Sequence, residues 1–217
     1  MPILKIDGTA PLSAGSVKAL AALCDQTEDH PGTEAVTLHV EGAPTEGWTT
    51  GLNVALVTKW ERTLRRLERL PAPTIAVVRG DCGGTALDAL LATDVRIATP
   101  GARLLVSGDA GATWPGMASY RLVQQAGAAR VRRAVVLGVP LTAADAAALG
   151  LVDELTDDPE GALAATVRRL AGRSGKELAI RRQLLFDATT TSFEDAIGPH
   201  LAACDRALRR VPVGEAP

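Results

Sequence analysis

An α/β fold follows from three features of the 217-residue sequence: strand-like runs alternate with helix-periodic ones, TIAVV at 74–78 is apolar throughout, and a glycine-rich turn separates it from the next helix. A strand without a polar position is covered on both faces, as in a parallel sheet flanked by helices. The length supports one substantial core rather than two large domains.

ILKID at 3–7 alternates and is closed by Gly8, predicting a first strand. Pro11 and Ser13 then lead into a helix carrying Val17, Leu20 and Leu23 at helical spacing. AVTLHV at 35–40 is a strand rich in β-branched residues, and EGAPTEGWTTG at 41–51 leaves it as a loop. Over 54–70, Leu56, Trp60, Leu64 and Leu67 form one stripe, with Arg62, Arg65, Arg66, Glu68 and Arg69 expected on the wet face and Pro71 and Pro73 as the stop. The strand at 74–78 is expected to break at 79–84, where three glycines precede a helix at 86–92. Strands at 95–98 and 103–106 bracket the turn Thr99-Pro100-Gly101. Beyond a loop at 107–116, Ala- and Arg-rich segments predict helices at 117–137, 142–148, 160–172 and 193–209, with a frayed tail from 211.

Composition excludes several function classes. A net charge of −2, from 23 basic and 25 acidic residues, gives no footprint for nucleic acid or an anionic membrane, so any anionic ligand is held locally. No eighteen apolar residues follow one another and the first residues carry charges, so neither a membrane span nor an export signal is expected. Cys24, Cys82 and Cys204 are odd in number and lack metal-ligand spacing, which suits a reducing cytoplasm and argues against disulfides or zinc. His30, His39 and His200 are scattered without the partners of a triad or metal site.

Gly80, Gly83 and Gly84 lie between a buried strand and a helix, where backbone N–H groups face outward and suit an anion or an oxyanion. Such turns are also common structural devices, and the spacing fits neither a dinucleotide fingerprint nor a P-loop. The longer string at 70–105, LPAPTIAVVRGDCGGTALDALLATDVRIATPGARLL, resembles the signature region of the crotonase (enoyl-CoA hydratase/isomerase) superfamily. Gly80, Cys82, Gly84, Thr85, Ala86, Asp88, Thr93, Asp94 and Ala98 stand at the matching places. WPGMASYRL at 114–122 and LTAADAAALGLVDEL at 141–155 are similar to downstream segments, and WTTGLN at 48–53 looks like the loop that completes the family's oxyanion hole.

The resemblance implies a ClpP/crotonase-like ββα superhelix with a C-terminal helical region. Residues 1–155 would form the core with an acyl-CoA site, and 156–217 a helical region for assembly as a homotrimer or homohexamer. The thioester carbonyl would be polarised by the backbone N–H groups of Leu52 and Thr85, with Gly84 the alternative to Thr85, each donor contributing roughly 3 kcal/mol to an enolate. Trp48, Gly51, Cys82, Gly83 and Trp114 would border the substrate, Cys82 as a small packed residue rather than a nucleophile. Coenzyme A would arrive as part of the substrate, with no resident cofactor, no metal and no redox group. Asp88 takes the place of the first of the family's two catalytic glutamates. The second place falls on Gly108, so that glutamate is missing; its neighbour Asp109 either swings into the site or forms a turn. Arg130, Arg132 and Arg133 stay open between coenzyme A phosphates and a subunit contact.

RGDCGG, KWERTLRRLERLPA, ATWPGMASYRL and the short chain resemble one branch of the family, the small crotonase-like proteins of 3,5-dihydroxyphenylglycine biosynthesis in antibiotic pathways. That implies hydratase or dehydratase chemistry on a polyketoacyl thioester made by a type III polyketide synthase, beside a second crotonase-like protein. The alternatives are a non-catalytic accessory that binds the synthase or its intermediate, and a purely structural subunit.

Overall fold

The computed structural model describes residues 1–30, 32–109 and 111–209, so the tail expected from 211 lies outside the described residues. Strand β1 (Ile3–Asp7) pairs in parallel with β2 (Val36–Gly42), Ile3 opposite Thr37 and Asp7 opposite Glu41. Between them runs α1 (Ala14–Glu28), whose first turn is capped by the Ser13 hydroxyl accepting from the Ser16 N–H. Helix α2 (Val54–Leu67) starts in the same way at Asn53, whose side chain accepts from the Leu56 N–H.

Strand β3 (Thr74–Gly83) does not break at Arg79 as the glycines suggested. It pairs with β2 in register as far as Arg79, opposite Glu41; the register then slips and Cys82 stands opposite Gly42. On its other side β3 pairs first with β4 (Val95–Ala98), then from Asp81 to Gly83 with β5 (Arg103–Leu105). One strand therefore serves two directions of the sheet, the turn of a ββα spiral. Helix α3 (Gly84–Leu91) follows without a linker because Gly84 takes φ +52°, a conformation a side chain would strain.

Within the expected loop a short hairpin forms from β6 (Gly108–Asp109) and β7 (Ala112–Thr113). The helix expected over 117–137 is two, α4 (Met117–Ala126) and α5 (Ala128–Leu137), parted at Gly127. Strand β8 (Leu141–Thr142) runs antiparallel to β5, α6 (Ala143–Ala148) follows, and β9 (Glu154–Leu155) extends the sheet beyond β4. Of α7 (Pro159–Leu170), α8 (Lys176–Asp187) and α9 (Phe193–Leu208), the sequence reading had not placed α8.

The apolar run of β3 faces two cores. Ala76 and Val78 join the larger cluster with Leu20, Leu38, Trp60, Leu64, Leu87 and Leu90, while Ile75 and Val77 meet Ile97, Ala162 and Leu163 under α7. Glu68, expected in water, is buried at 7% exposure. It accepts from Arg65 Nη1 at 2.9 Å and Arg121 Nε at 2.8 Å, so its charge is matched inside the fold.

Helix α8 is moored by one buried cation. Arg182 donates to Asp94 Oδ1 at 2.7 Å and Oδ2 at 2.6 Å, and to the carbonyls of Leu70 and Ala72 at 2.5 and 3.2 Å. Asp94 also accepts from the Thr74 N–H and hydroxyl, tying α8 to the start of β3. Arg182→Met leaves Asp94 without its counter-ion and is expected to cost about 3 kcal/mol in urea unfolding. Amide exchange in α8 and α9 should accelerate more than in the sheet; unchanged protection there would show that the mooring lies elsewhere.

Candidate active site

Helix α3 packs against the sheet and α4, and of its eight residues only Asp88 is ionisable. Asp88 Oδ2 accepts from the indole Nε1 of Trp60 at 3.0 Å, and Trp60 itself is 1% exposed. One residue further along α2, Glu61 faces the same space, its Oε2 2.9 Å from Arg121 Nη1. Glu61 and Glu68 are seven residues apart, two helical turns, so both reach Arg121 from one face of α2.

The cavity above these groups is narrow, about 40 Å³, and lies between Leu52, Val57, Thr85, Asp88, Ser107 and Trp114. Burial first, and the charge of Glu61 second, push Asp88 from 3.8 up to about 7, against the Trp60 hydrogen bond and Arg121. Burial likewise raises Glu61, with the Arg121 guanidinium pulling the other way.

The expected backbone donors lie around this cavity in different states. Thr85 is the second residue of α3, so its N–H has no acceptor one turn earlier in the helix. The Gly84 N–H donates to Ser107 Oγ at 2.8 Å. The Leu52 N–H donates to the Thr49 carbonyl at 2.9 Å and closes the turn 49–52. Trp48 and Trp114 meet edge to face across the cavity wall, centroids 5.3 Å apart at 71°.

Asp109, in the hairpin itself, lines a second, more open cavity with Glu46, Gly138 and Leu137, which shares Val106 and Ser107 with the first. Its Oδ1 accepts from the Gly47 N–H at 2.9 Å, and its Oδ2 from the N–H and hydroxyl of Thr49. With Trp48 Nε1 donating to the Gly108 carbonyl at 3.1 Å, these bonds fasten the 47–52 loop to the hairpin. Gly108 cannot carry the family's glutamate without a shift: a first side-chain carbon would lie 2.8 Å from the Ala112 carbonyl oxygen.

The fold thus gathers Asp88, Leu52, Gly84, Thr85, Trp48 and Trp114 around one cavity and sets Asp109 apart. Gly51 is exposed in the loop, and Cys82 and Gly83 stand behind the wall. Burial pushes the Cys82 thiol far up, which keeps it neutral. Glu61, Trp60, Arg121 and Ser107 were not anticipated; the seven-residue spacing of Glu61 and Glu68 beside Trp60 was the available signal. Arg130, Arg132 and Arg133 are exposed on α5. Among the described residues no cluster of three His, Cys, Asp or Glu side chains is placed to hold a metal, and no helix is long and apolar enough to cross a membrane.

Residues 50–208 match the Enoyl-CoA hydratase/isomerase family. A protein of Amycolatopsis orientalis named Enoyl-CoA-hydratase is 58% identical over 208 residues, 96% of each chain. Two solved structures share the fold. An enoyl-CoA hydratase/isomerase from Marinobacter aquaeolei has a TM-score of 0.78 at 18% identity, covering 96% of this chain and 88% of its own. An enoyl-CoA hydratase of Mycobacterium smegmatis has a TM-score of 0.78 at 20% identity, again covering 96% and 88%.

The elevated Asp88 has a thermodynamic signature. Because its folded-state value lies above its unfolded one, the stability its proton provides is complete below 3.8 and lost as pH rises through about 7. Asp88→Asn keeps an acceptor for Trp60 and carries no charge, so it escapes that loss. The variant should match wild type near about pH 4 and exceed it by about 2–4 kcal/mol near about pH 8. Urea unfolding at both values checks this, and a pH-independent difference would contradict it.

Proposed function

Because this chain belongs to the enoyl-CoA hydratase/isomerase family and is an enzyme of the enoyl-CoA hydratase type, we propose that it dehydrates a polyketoacyl-CoA thioester on the way to 3,5-dihydroxyphenylacetyl-CoA and dihydroxyphenylglycine. The observation that carries this reading is Asp88, a carboxyl at the cavity poised at about 7 and so able to give and take a proton at neutral pH. The substrate class is supported by the motifs shared with the dihydroxyphenylglycine branch and by the two tryptophans, whose rings suit a chain that closes into an aromatic product. The acyl chain would come from a type III polyketide synthase, with a second crotonase-like protein as a further partner.

In the proposed reaction the thioester oxygen lies between the N–H groups of Leu52 and Thr85. Gly84 is the poorer candidate because its N–H already serves Ser107. Leu52 becomes available when the 49–52 turn exchanges its internal hydrogen bond for the thioester. Loss of the Cα proton then gives an enolate held by two donors, each contributing about 3 kcal/mol. Aldol closure of the chain onto its β-keto carbon supplies the β-hydroxyl; the enolate expels it, and it leaves as water with a proton from Asp88. Coenzyme A enters and leaves as part of substrate and product.

Assembly as a homotrimer or homohexamer through the 156–217 region is part of the same proposal. Helix α7 already spends Ala162 and Leu163 on its own sheet, whereas α9 leaves Phe193, Ile197, Leu201 and Leu208 exposed along its length. Such a stripe supports a subunit contact. The double change Phe193→Ser and Leu201→Asp is expected to give a monomer by light scattering, with the mass of wild type being a multiple of it.

Reconstitution tests the reaction. With the synthase and malonyl-CoA, wild type is expected to raise the yield of aromatic thioester, and Asp88→Asn to slow that contribution by about a hundredfold or more. Equal enhancement by both proteins would make the chain an accessory that holds the synthase or its intermediate.

A further inference from the structure

We propose that Glu61 is the second catalytic carboxylate of this cavity, the base that takes the Cα proton, while Asp88 is the acid that sends the β-hydroxyl off as water. The assignment rests on the dehydratase reading above and extends it, because elimination needs two proton-transferring groups and only Asp88 was given a role. The family's second position is Gly108, which has no carboxylate, and its neighbour Asp109 is bonded to the 47–49 turn. Glu61 lines the same cavity as Asp88, one residue from the tryptophan that holds Asp88.

The two glutamates that meet Arg121 are not equivalent. Glu68 is 7% exposed at its side chain and takes an aligned bond from Arg121 Nε at 2.8 Å. Glu61 is 20% exposed and lines the cavity, and its 2.9 Å contact is with Nη1, an atom that makes no well-oriented hydrogen bond. Glu68 is thus the structural counter-ion, and Glu61 is held by charge and remains able to turn toward a ligand. The environments also separate the protonation states. Asp88 is raised to about 7 and has Trp60 as its hydrogen-bond partner, whereas the Arg121 guanidinium in contact with Glu61 opposes the effect of burial there.

The proton balance closes. The Glu61 carboxylate takes the Cα proton, and the C–H electron pair becomes the enolate. The enolate re-forms the carbonyl, makes the Cα–Cβ double bond and breaks the Cβ–O bond. The departing hydroxyl takes the proton of Asp88 and leaves as water, and the proton on Glu61 passes to the Asp88 carboxylate to restore the starting state.

Two probes separate the roles: exchange of the Cα protons of butyryl-CoA in heavy water, which needs only the base, and release of water from 3-hydroxybutyryl-CoA, which needs both groups. Glu61→Gln is expected to lose both by about a hundredfold or more, and Asp88→Asn to lose water release while keeping exchange within a few-fold of wild type. Glu61→Asp, which keeps the charge opposite Arg121, should recover part of the exchange and serves as the variant if Glu61→Gln does not fold. A merely structural Glu61 would lower thermal stability and slow both probes in step with it, without this split. Wild-type exchange in Glu61→Gln, or exchange lost in Asp88→Asn alone, overturns the assignment. Glu61-dependent exchange without any water release would refute the dehydratase reading and leave the base in place; if wild type does neither, both fail.

Discussion

The register slip of β3 is the constraint on which the rest of the structure depends. As far as Arg79 the strand is the centre of a parallel sheet; from Asp81 it belongs to a second direction, paired with β5. The slip carries Gly83 and Gly84 to the edge where α3 begins, and the pairing of Gly83 with Leu105 sets Ser107 within reach of the Gly84 N–H. Asp88 then stands one helical turn beyond the amides that face the cavity. Backbone donor and carboxylate thus share one rigid element, so their spacing does not depend on loop conformation.

Three buried guanidinium groups fix what the sheet leaves loose. Arg96 donates to the carbonyls of Leu91 and Thr93 at the end of α3, the former also accepting from Gln125 Nε2, and to Gln125 Oε1 of α4. Helix α3 is therefore held at both ends, by the glycine turn and by Arg96. Burial lowers Arg96 to about 10, so it still carries its charge at neutral pH. Arg182 does for α8 what Arg96 does for α3, and Arg121 joins α4 to α2. A buried ion pair contributes little net stability, but each of these cations bridges segments distant in sequence, where losing one partner leaves a bare charge in the core.

Elements defined by local chemistry were legible in the sequence: capped helices such as α1 and α2, and strands bounded by Gly or Pro. What was not legible depended on partners far along the chain. Glycines read as a break in β3 because the strand they bend toward, β5, cannot be seen locally. Glu68 read as a solvated charge because its counter-ion lies 53 residues away on α4. Helix α8 was missed because its buried residue is Arg182 rather than an apolar one, which leaves no stripe. At the site, Asp88 was legible from its place after the glycine turn, whereas Glu61 was one charge among many on α2.

In the proposed reaction Leu52 would favour the transition state over the substrate. In the resting structure its N–H is given to the Thr49 carbonyl, so binding a thioester in the proposed manner exchanges one neutral acceptor for another, with little net gain. As the Cα proton leaves, the acceptor becomes an enolate oxygen, and a hydrogen bond to a charged acceptor is roughly twice as strong as one to a neutral carbonyl. The gain therefore appears mainly as charge develops, which lowers the barrier without tightening the ground-state complex. In the proposed reaction Thr85, on a helix held at both ends, would supply the fixed half of the hole, and the 47–52 loop, bonded to the hairpin through Asp109 and Trp48, the half that adjusts. In that proposal Asp109 would act on the reaction through the loop it holds.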